Sequence, residues 1–345
     1  MGVDISASRI RLLELDGRAD THRVLSYASE PLPAEAIANE QIIDAEAVAA
    51  SMKRALERSG SRTRRAAIAV SGPAVISKII DMPAELGDAE IEQQIAFDAE
   101  QYIPHPKEEV NLDFQVLERD TNNPDVNRVL LVACRRDHVE ARVGAMEMAG
   151  LEVCIVDIET YALQNACSLL IEQSPALAAA GANVAVFDLG AQQTRLSVSH
   201  GGRNVYSREL SFGGRQLAGD LLERHDLSEI DQLRGRLRTG EIAPEAIADE
   251  VDEFAHRAAG QIERALQFYM SAGSQEETID QVVLVGGTTL FPGIEEAVAS
   301  RLSWPVTVGN PLAGMLAGTA ARRNHVDYDG PALMVATGLA MRSVR

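Results

Sequence analysis

Two short segments of the chain share one pattern of apolar, acidic and small residues. Residues 3–15 read VDISASRIRLLEL, and residues 187–199 read FDLGAQQTRLSVS. In both, an apolar strand ends in an aspartate, Asp4 or Asp188, and a small-residue turn and an alternating strand follow, which predicts a β-hairpin. The tip of such a hairpin carries a carboxylate and exposed backbone N–H groups. Two facing tips could therefore bind a phosphate chain through the N–H groups and a hydrated cation through the aspartates.

A third segment has the pattern of a loop that contacts a nucleoside. Residues 282–298 read VVLVGGTTLFPGIEEAV, which predicts a buried strand, a Gly-Gly turn and a helix. A single aspartate hairpin is more often an ordinary strand turn than a phosphate loop. Two such hairpins, followed along the chain by the Gly-Gly segment, instead favour phosphate loops and a nucleotide site between two lobes.

The composition is typical of a two-domain α/β protein. The chain has 345 residues, of which 46% are hydrophobic and only 4% are aromatic. Its net charge of −19 would repel a nucleic-acid backbone, so nucleic acid is not an expected partner. No apolar run reaches the roughly 18 residues of a membrane span, and the start, MGVDIS, does not resemble a signal peptide. We therefore expect a cytoplasmic protein.

Strand and helix patterns surround these motifs. Residues 3–30 predict successive strands, and a helix is predicted to begin after Asp44 and to end before Gly60. A second helix is predicted to be capped by Asp88, and the Ala-rich segment at residues 174–183 is the predicted hinge between the lobes. The predicted organisation comprises a first-lobe core at 1–75 and 153–180, an inserted α+β subdomain at 76–152, a second-lobe core at 181–212 and 281–330, a second-lobe insert at 213–280, and a C-terminal helix at 331–345.

The cysteines and histidines form no metal-binding pattern. Cys134, Cys154 and Cys167 stand singly in apolar segments, which predicts three buried small side chains. The 7 histidines lack the spacing of a metal site. Any metal ion is therefore expected to arrive with a bound ligand.

Several segments together resemble one protein family. GVDISASRIRLLEL, IDMPAELGDAEIEQQIAFDAEQYIPHPKEEVNLDFQVL, VDIETYALQNA, FDLGAQQTRLSV, VLVGGTTLFPGIEEAV and ALMVATGLAMRS look like the type IV pilus assembly family PilM, a relative of the cell-division protein FtsA. The resemblance covers essentially the whole chain, in order. It implies an α/β, actin-like two-lobed fold of the ribonuclease H-like ATPase class, with the inserted subdomain that PilM and FtsA share.

The resemblance implies a site for ATP and Mg²⁺ at the three motifs. Asp4 and Asp188 would hold the hydrated Mg²⁺, and Glu159 would orient or deprotonate the attacking water. Glu159 could equally be an acid that the helix dipole favours at the start of a helix. ATP turnover, if any, is expected to be slow. The implied nucleotide-binding residues are Asp4, Ser6, Ala7, Ser8 and Arg11 in the first hairpin, Asp188, Gly190, Ala191 and Thr194 in the second, Gly213 and Gly214 at a turn near the ribose, and Gly286, Gly287 and Thr288 in the adenosine loop.

The first hairpin departs from the family at two positions. Relatives carry glycine where this chain has Ser6, and commonly lysine where it has Arg11. If the backbone at Ser6 must be left-handed, a residue with a Cβ costs roughly 1–2 kcal/mol. Alternatively, the serine hydroxyl could itself donate a hydrogen bond to a phosphate oxygen. We expect nucleotide to bind in either case.

The resemblance also implies a protein partner, the N-terminal cytoplasmic peptide of the inner-membrane protein PilN. A groove or strand edge beside the insert could accept an extended peptide through backbone pairing, with acidic side chains around it for basic residues. Through PilN and other pilus assembly proteins, the chain would associate with the inner membrane. The helix that begins near Asp88 carries the acidic residues Glu92, Asp98 and Glu100 and ends at the candidate peptide-binding residues Tyr102, Ile103 and Pro104.

Three other functions remain open from the sequence. An FtsA-like polymerising ATPase would self-associate. An actin-like adaptor of type II secretion would continue into a membrane span. A small-molecule kinase would need a catalytic base beside an acceptor pocket, and the sequence shows no polar cluster suited to a sugar.

Overall fold

The computed structural model of the chain describes residues 1–17, 22–119, 123–174, 177–178, 181–272 and 278–343, so the predicted hinge at 174–183 lies only partly within it. The strands are β1 (Gly2–Ile5), β2 (Arg9–Asp16), β3 (Arg23–Pro31), β4 (Ile37–Ala38), β5 (Gln41–Ile42), β6 (Arg65–Val70), β7 (Val75–Pro83), β8 (Val110–Arg119), β9 (Val126–Arg135), β10 (Glu152–Ile158), β11 (Asn183–Leu189), β12 (Thr194–His200), β13 (Arg203–Leu210), β14 (Gln281–Val285), β15 (Val306–Val308) and β16 (Leu316–Ala317). The helices are α1 (Ala45–Ser59), α2 (Asp88–Tyr102), α3 (Arg136–Met148), α4 (Glu159–Glu172), α5 (Arg215–Arg224), α6 (Ile230–Thr239), α7 (Ala248–Ala272), α8 (Ile294–Ala299), α9 (Thr319–Arg323), α10 (Val326–Asp329) and α11 (Met334–Ser343).

The first predicted hairpin lies at the centre of a six-stranded sheet with the order β10-β6-β1-β2-β3-β16. Strand β1 pairs antiparallel with β2 and parallel with β6, which leaves all four of its residues buried. Helix α1 packs on this lobe through Val48 and Met52. As predicted, it begins after Asp44, whose carboxylate accepts a hydrogen bond from a first-turn N–H, and it ends at Gly60 in a left-handed conformation.

The second predicted hairpin lies at the centre of a five-stranded sheet with the order β13-β12-β11-β14-β15. Strand β11 pairs antiparallel with β12 and parallel with β14. Asp4 lies opposite Arg11 in the first sheet, and Asp188 lies opposite Arg195 in the second. The two hairpins therefore share one register, and the internal repetition is confirmed as a structural one.

Helices α4 and α11 form the layer between the two sheets. Leu163 of α4 packs with Val184 and Val283 of the second sheet, and Ala162 packs with Ala67 of the first. Gly338 of α11 lies so close to α4 that an added Cβ would be 1.8 Å from a backbone oxygen. This close contact leaves no room for a side chain between α4 and α11.

The insert consists of a three-stranded sheet, β7-β9-β8, covered by α2. Ile91 and Ile95 of α2 are buried against it, as predicted. The prediction that Asp88 caps α2 is wrong. Asp88 is the first helical residue, and Gly87 takes the cap position because the Glu90 carboxylate accepts a hydrogen bond from its N–H at 2.9 Å.

Helices α5, α6 and α7 cover one face of the second sheet. Phe254 and Ile262 of α7 belong to the core that they form with that sheet. The prediction of three buried cysteines is wrong for Cys154, which is exposed on the edge strand β10. Among the described residues, none of the helices combines the length and apolar character needed to cross a membrane.

Candidate nucleotide site

The tip of the first hairpin is a tight turn at residues 6–8. The N–H and the hydroxyl of Ser6 both donate to the carbonyl oxygen of Arg9, each at 3.0 Å. None of residues 6–8 has a positive φ, so Ser6 carries no left-handed strain. Its hydroxyl hydrogen is already used inside the turn, and donation to a phosphate would require this bond to break.

The second tip is joined to the other predicted motifs at a single atom. The carbonyl oxygen of Gly190 accepts hydrogen bonds from the Gly214 N–H at 2.9 Å and from the Thr288 hydroxyl at 3.1 Å. The N–H of Arg215, at the start of α5, donates to the Ala191 carbonyl at 2.8 Å. The hairpin, the Gly213-Gly214 turn and the loop after β14 thus form one rigid unit.

Glycine is required at three positions of this unit, because neighbouring atoms lie too close to leave room for a Cβ. A Cβ at Gly213 would lie 2.5 Å from the carbonyl oxygen of Ala191, and one at Gly214 would lie 2.3 Å from the Thr288 hydroxyl. Gly286 has a φ of 97°, and a Cβ there would lie 2.4 Å from the Asp188 carboxylate. The Gly-Gly loop therefore packs directly against the aspartate of the second hairpin.

A cavity of about 830 Å³ separates the two tips, a volume that suits a small-molecule ligand. Most of the predicted nucleotide residues line it. Thr194, Gly213 and Gly286 do not, and the buried Thr194 donates its hydroxyl to the Phe212 carbonyl at 2.8 Å. The predicted residues that line the cavity are Asp4, Ser6, Ala7, Ser8, Arg11, Glu159, Asp188, Gly190, Ala191, Gly214, Gly287 and Thr288.

Both aspartates have raised pKa values. Burial raises the pKa of Asp188 to about 6, the charges of Glu159 and Asp4 add to the effect, and Arg195 opposes it. Burial also raises the pKa of Asp4, although Arg11 donates to its carboxylate at 2.9 Å. Within the described residues, no three His, Cys, Asp or Glu side chains are grouped to hold a bare metal ion. A cation in this cavity would thus meet two carboxylates whose charged forms are destabilised by burial.

Glu159 is the first residue of α4, and its carboxylate is paired with Arg195 at 2.9 Å. Arg195 also contacts Glu40 at 3.4 Å and Glu209 at 3.3 Å. Although burial lowers it, the pKa of Arg195 is raised on balance by Glu159, Asp188 and the other surrounding acids. The predicted water-activating residue is therefore part of a charged network that connects the two lobes.

The cavity is also lined by arginines that are not among the predicted site residues, and three of them, Arg234, Arg142 and Arg9, make contacts that bear on its function. Burial, together with the nearby charges of Arg9 and Arg11, lowers the pKa of Arg234 on α6 to about 10. Its Nε is buried without a hydrogen-bond partner within the described residues, while its terminal nitrogen donates to the Gly287 carbonyl at 2.9 Å. Arg142 donates to the Glu40 carbonyl at 2.9 Å. No local pattern marks Arg234 and Arg142, because they approach the cavity from distant helices.

Arg9, the third of these residues, connects the two lobes at the other side of the cavity. It lies on β2, is buried, and forms an ion pair with Asp231 of α6. Its Nε donates to the Ser29 hydroxyl at 2.8 Å. The cavity is therefore bordered by two charged contacts between the lobes, one through Arg9 and one through Arg195.

The candidate peptide residues do not form one exposed surface. Ile103 is only 3% exposed and packs in the core of the insert with Ile95 and Leu131. Tyr102 is half-buried against the same core, and Pro104 is exposed. A partner could contact Tyr102 and Pro104, whereas Ile103 has a structural role.

Comparison with known proteins gives one family and several related folds. The family model described as "Type IV pilus assembly protein PilM" matches residues 2–344. A solved structure described as "PilM-PilN type IV pilus biogenesis complex" is similar with a TM-score of 0.76 at 24% identity, covering 100% of this chain and 98% of that chain. The ethanolamine utilization protein EutJ from Carboxydothermus hydrogenoformans has a TM-score of 0.57 at 16% identity, covering 99% and 88%. The fold is thus actin-like, with two lobes and mixed α/β structure.

Proposed function

The chain belongs to the PilM family of type IV pilus assembly proteins, and from this premise we propose that it is a nucleotide-binding component of the inner-membrane platform that assembles the pilus. In this proposal it binds ATP with Mg²⁺ between its lobes and binds the N-terminal cytoplasmic peptide of PilN. It acts in the cytoplasm and is held at the inner membrane through that partner.

The observation that carries the nucleotide proposal is the pair of duplicated hairpin tips on one cavity. Asp4 and Asp188 are suited to hold a hydrated Mg²⁺, because their carboxylates line the same cavity from the two hairpins and oxygen ligands are those that Mg²⁺ prefers. The ion would neutralise phosphate charge. Arg234 supplies a buried positive charge with an unused donor in the same cavity, as a phosphate-bearing ligand requires.

The arrangement of Glu159 favours occupancy over rapid hydrolysis. A water-activating carboxylate needs a free oxygen within hydrogen-bond reach of the water. Glu159 is paired with Arg195 at 2.9 Å, and that pair also connects the lobes. Breaking it would disturb both the base and the lobe contact. We therefore propose a slow ATPase that works mainly as a nucleotide-gated adaptor.

The peptide proposal rests on family membership and on the shape of the insert. The structure described as a PilM-PilN complex covers the whole of this chain, including the insert. In our proposal the peptide lies in the cleft between the insert and the first lobe, with Tyr102 and Pro104 at its edge. The acidic residues Glu92 and Glu100 of α2 are exposed nearby in sequence and suit basic residues of a peptide.

Calorimetry with Mg·ATP tests the nucleotide proposal. Asp4→Asn and Asp188→Asn should each weaken binding at least about tenfold, the equivalent of ~1.4 kcal/mol. Asp252→Asn is the matched control, because Asp252 is exposed, lies outside the cavity and pairs with Arg301. Its affinity should equal that of the wild type. Unchanged affinity in both cavity variants would contradict the proposal.

A further inference from the structure

A groove beside the second hairpin, distinct from the cavity between the lobes, is lined by basic and uncharged residues. It has a volume of about 650 Å³ and is lined by the start of α5, one side of α7 and the hairpin tip. Arg215, Arg257 and Arg264 line it together with His256, and none of the lining residues is acidic. The chain as a whole has 51 acidic and 32 basic residues, so an all-basic groove runs against its average charge.

The three arginines have no charged partner within the described part of the chain. Arg257 donates from one terminal nitrogen to the side-chain oxygen of Gln216. Its Nε is buried and has no hydrogen-bond partner among the described residues. A guanidinium presents five donors in a fixed fork that matches the oxygens of a phosphate. The groove therefore holds unused donors and uncompensated positive charge.

The start of α5 adds to the positive electrostatic potential of the groove. Its first residue is Arg215, its first turn contains no acidic residue, and no side chain caps it. A positive side chain at a helix N-terminus is unfavourable, because the dipole is positive there as well. An anion in the groove would relieve that repulsion, although the N–H of Arg215 itself already donates to the Ala191 carbonyl.

We propose that this groove binds a phosphate group at a site separate from the cavity between the lobes. The groove and the cavity share Ala191, Gln192 and Arg215, so the two sites lie on opposite sides of one hairpin tip. A phosphate in the groove fixes that tip from outside through Arg215 and the start of α5. The source is a soluble phosphate compound or the headgroup of an anionic lipid.

The test uses the full chain without nucleotide or Mg²⁺, and variants of Arg257 and Arg264, which line only the groove, distinguish binding there from binding in the cavity between the lobes. Pyrophosphate is titrated by calorimetry, and hydrogen exchange reports protection of the α5 start and of α7. The double variant R257A/R264A should weaken binding at least about tenfold and abolish the protection. The control R203A/R62A removes the same charge from exposed arginines outside the groove and should change affinity less than about twofold.

A single variant and two further probes complete the test. Arg264→Glu changes an exposed residue, so the fold should be kept while binding is lost. Vesicles of phosphatidylglycerol, compared with phosphatidylcholine, identify a lipid source if they bind and pyrophosphate does not. Equal weakening in the control, unchanged affinity in R257A/R264A, or binding of only a polyglutamate peptide would overturn the proposal.

Discussion

Asp188 provides the most quantitative test, because the charge that would bind a cation destabilises the protein when no cation is present. The substitution is Asp188→Asn, which keeps the shape and removes the charge. Asp188 lies beside Gly286 and faces the charges of Asp4 and Glu159. We expect the variant to be more stable than the wild type without ligand, and to lose part of the stabilisation that ligand gives.

The magnitude follows from the pKa of Asp188, which burial raises from 3.8 to about 6. Between these values the folded state binds more protons than the unfolded state, so the free energy of unfolding falls as the pH rises from about 4 to about 6. Above pH 6 the folded state bears the full free-energy cost of an ionised Asp188, about 3 kcal/mol for a shift of about two pKa units. Asp188→Asn should therefore raise the free energy of unfolding by up to about 3 kcal/mol at pH 7 and by about half of that at pH 5.

Thermal unfolding at pH 5 and pH 7, with and without Mg·ATP, measures this prediction. Without ligand, the variant should melt several degrees above the wild type at pH 7 and be closer to it at pH 5. With Mg·ATP present, the variant should gain less stability from binding than the wild type, by about 1.4 kcal/mol for a tenfold loss of affinity. Asp252→Asn is the control for removing one negative charge from the protein, and it should change the free energy of unfolding by less than about 0.5 kcal/mol. A variant that melts at or below the wild type at pH 7 would refute the reasoning.

Two further predictions concern the lobe contact and the hairpin packing. Arg9→Ala and Asp231→Ala should each speed nucleotide release several-fold in stopped-flow measurements, because their ion pair borders the cavity from both lobes. If the pair acts as a unit, the double variant should release nucleotide no faster than either single variant. Gly213→Ala should lower the melting temperature, since its Cβ would lie 2.5 Å from the Ala191 carbonyl, whereas Gly219→Ala, in open space on a helix, should raise stability by up to about 1 kcal/mol. Equal effects of the two glycine variants would contradict the packing argument.

The elements that sequence predicted well are those set by local rules. Both hairpins follow from strand alternation around an aspartate and a small turn, and their shared register follows from the repeated pattern. Helix α1 follows from a capping Asp44 and a terminal Gly60, each of which acts within one turn. The start of α2 was missed because a Glu three residues inside the helix supplied the capping hydrogen bond to a glycine.

The site could be predicted only in part, because its charged network is not local. Arg195 meets Glu40 across a sequence separation of 155 residues, and Arg9 meets Asp231 across 222. Arg234 enters the cavity from a helix whose sequence gives only the usual apolar stripe. Ile103 was mistaken for a surface residue because the end of a helix gives no periodic signal. Patterns show which side of an element is buried, but not which side chains meet there.

The lobes, the insert and the cavity are mechanically connected through few side chains. Arg195 on the second hairpin reaches Glu40 of the first lobe, and the carbonyl of Glu40 accepts a hydrogen bond from Arg142 on α3, a helix that packs on α1 of the first lobe. Arg142 also reaches the carbonyl of Ile5 at the first hairpin, at 3.4 Å. We therefore expect a ligand that draws the two hairpin tips together to act on α3, which directly follows strand β9 of the insert in the chain. Since such coupling is reciprocal, a peptide that holds the insert must change nucleotide affinity by the same factor by which nucleotide changes peptide affinity.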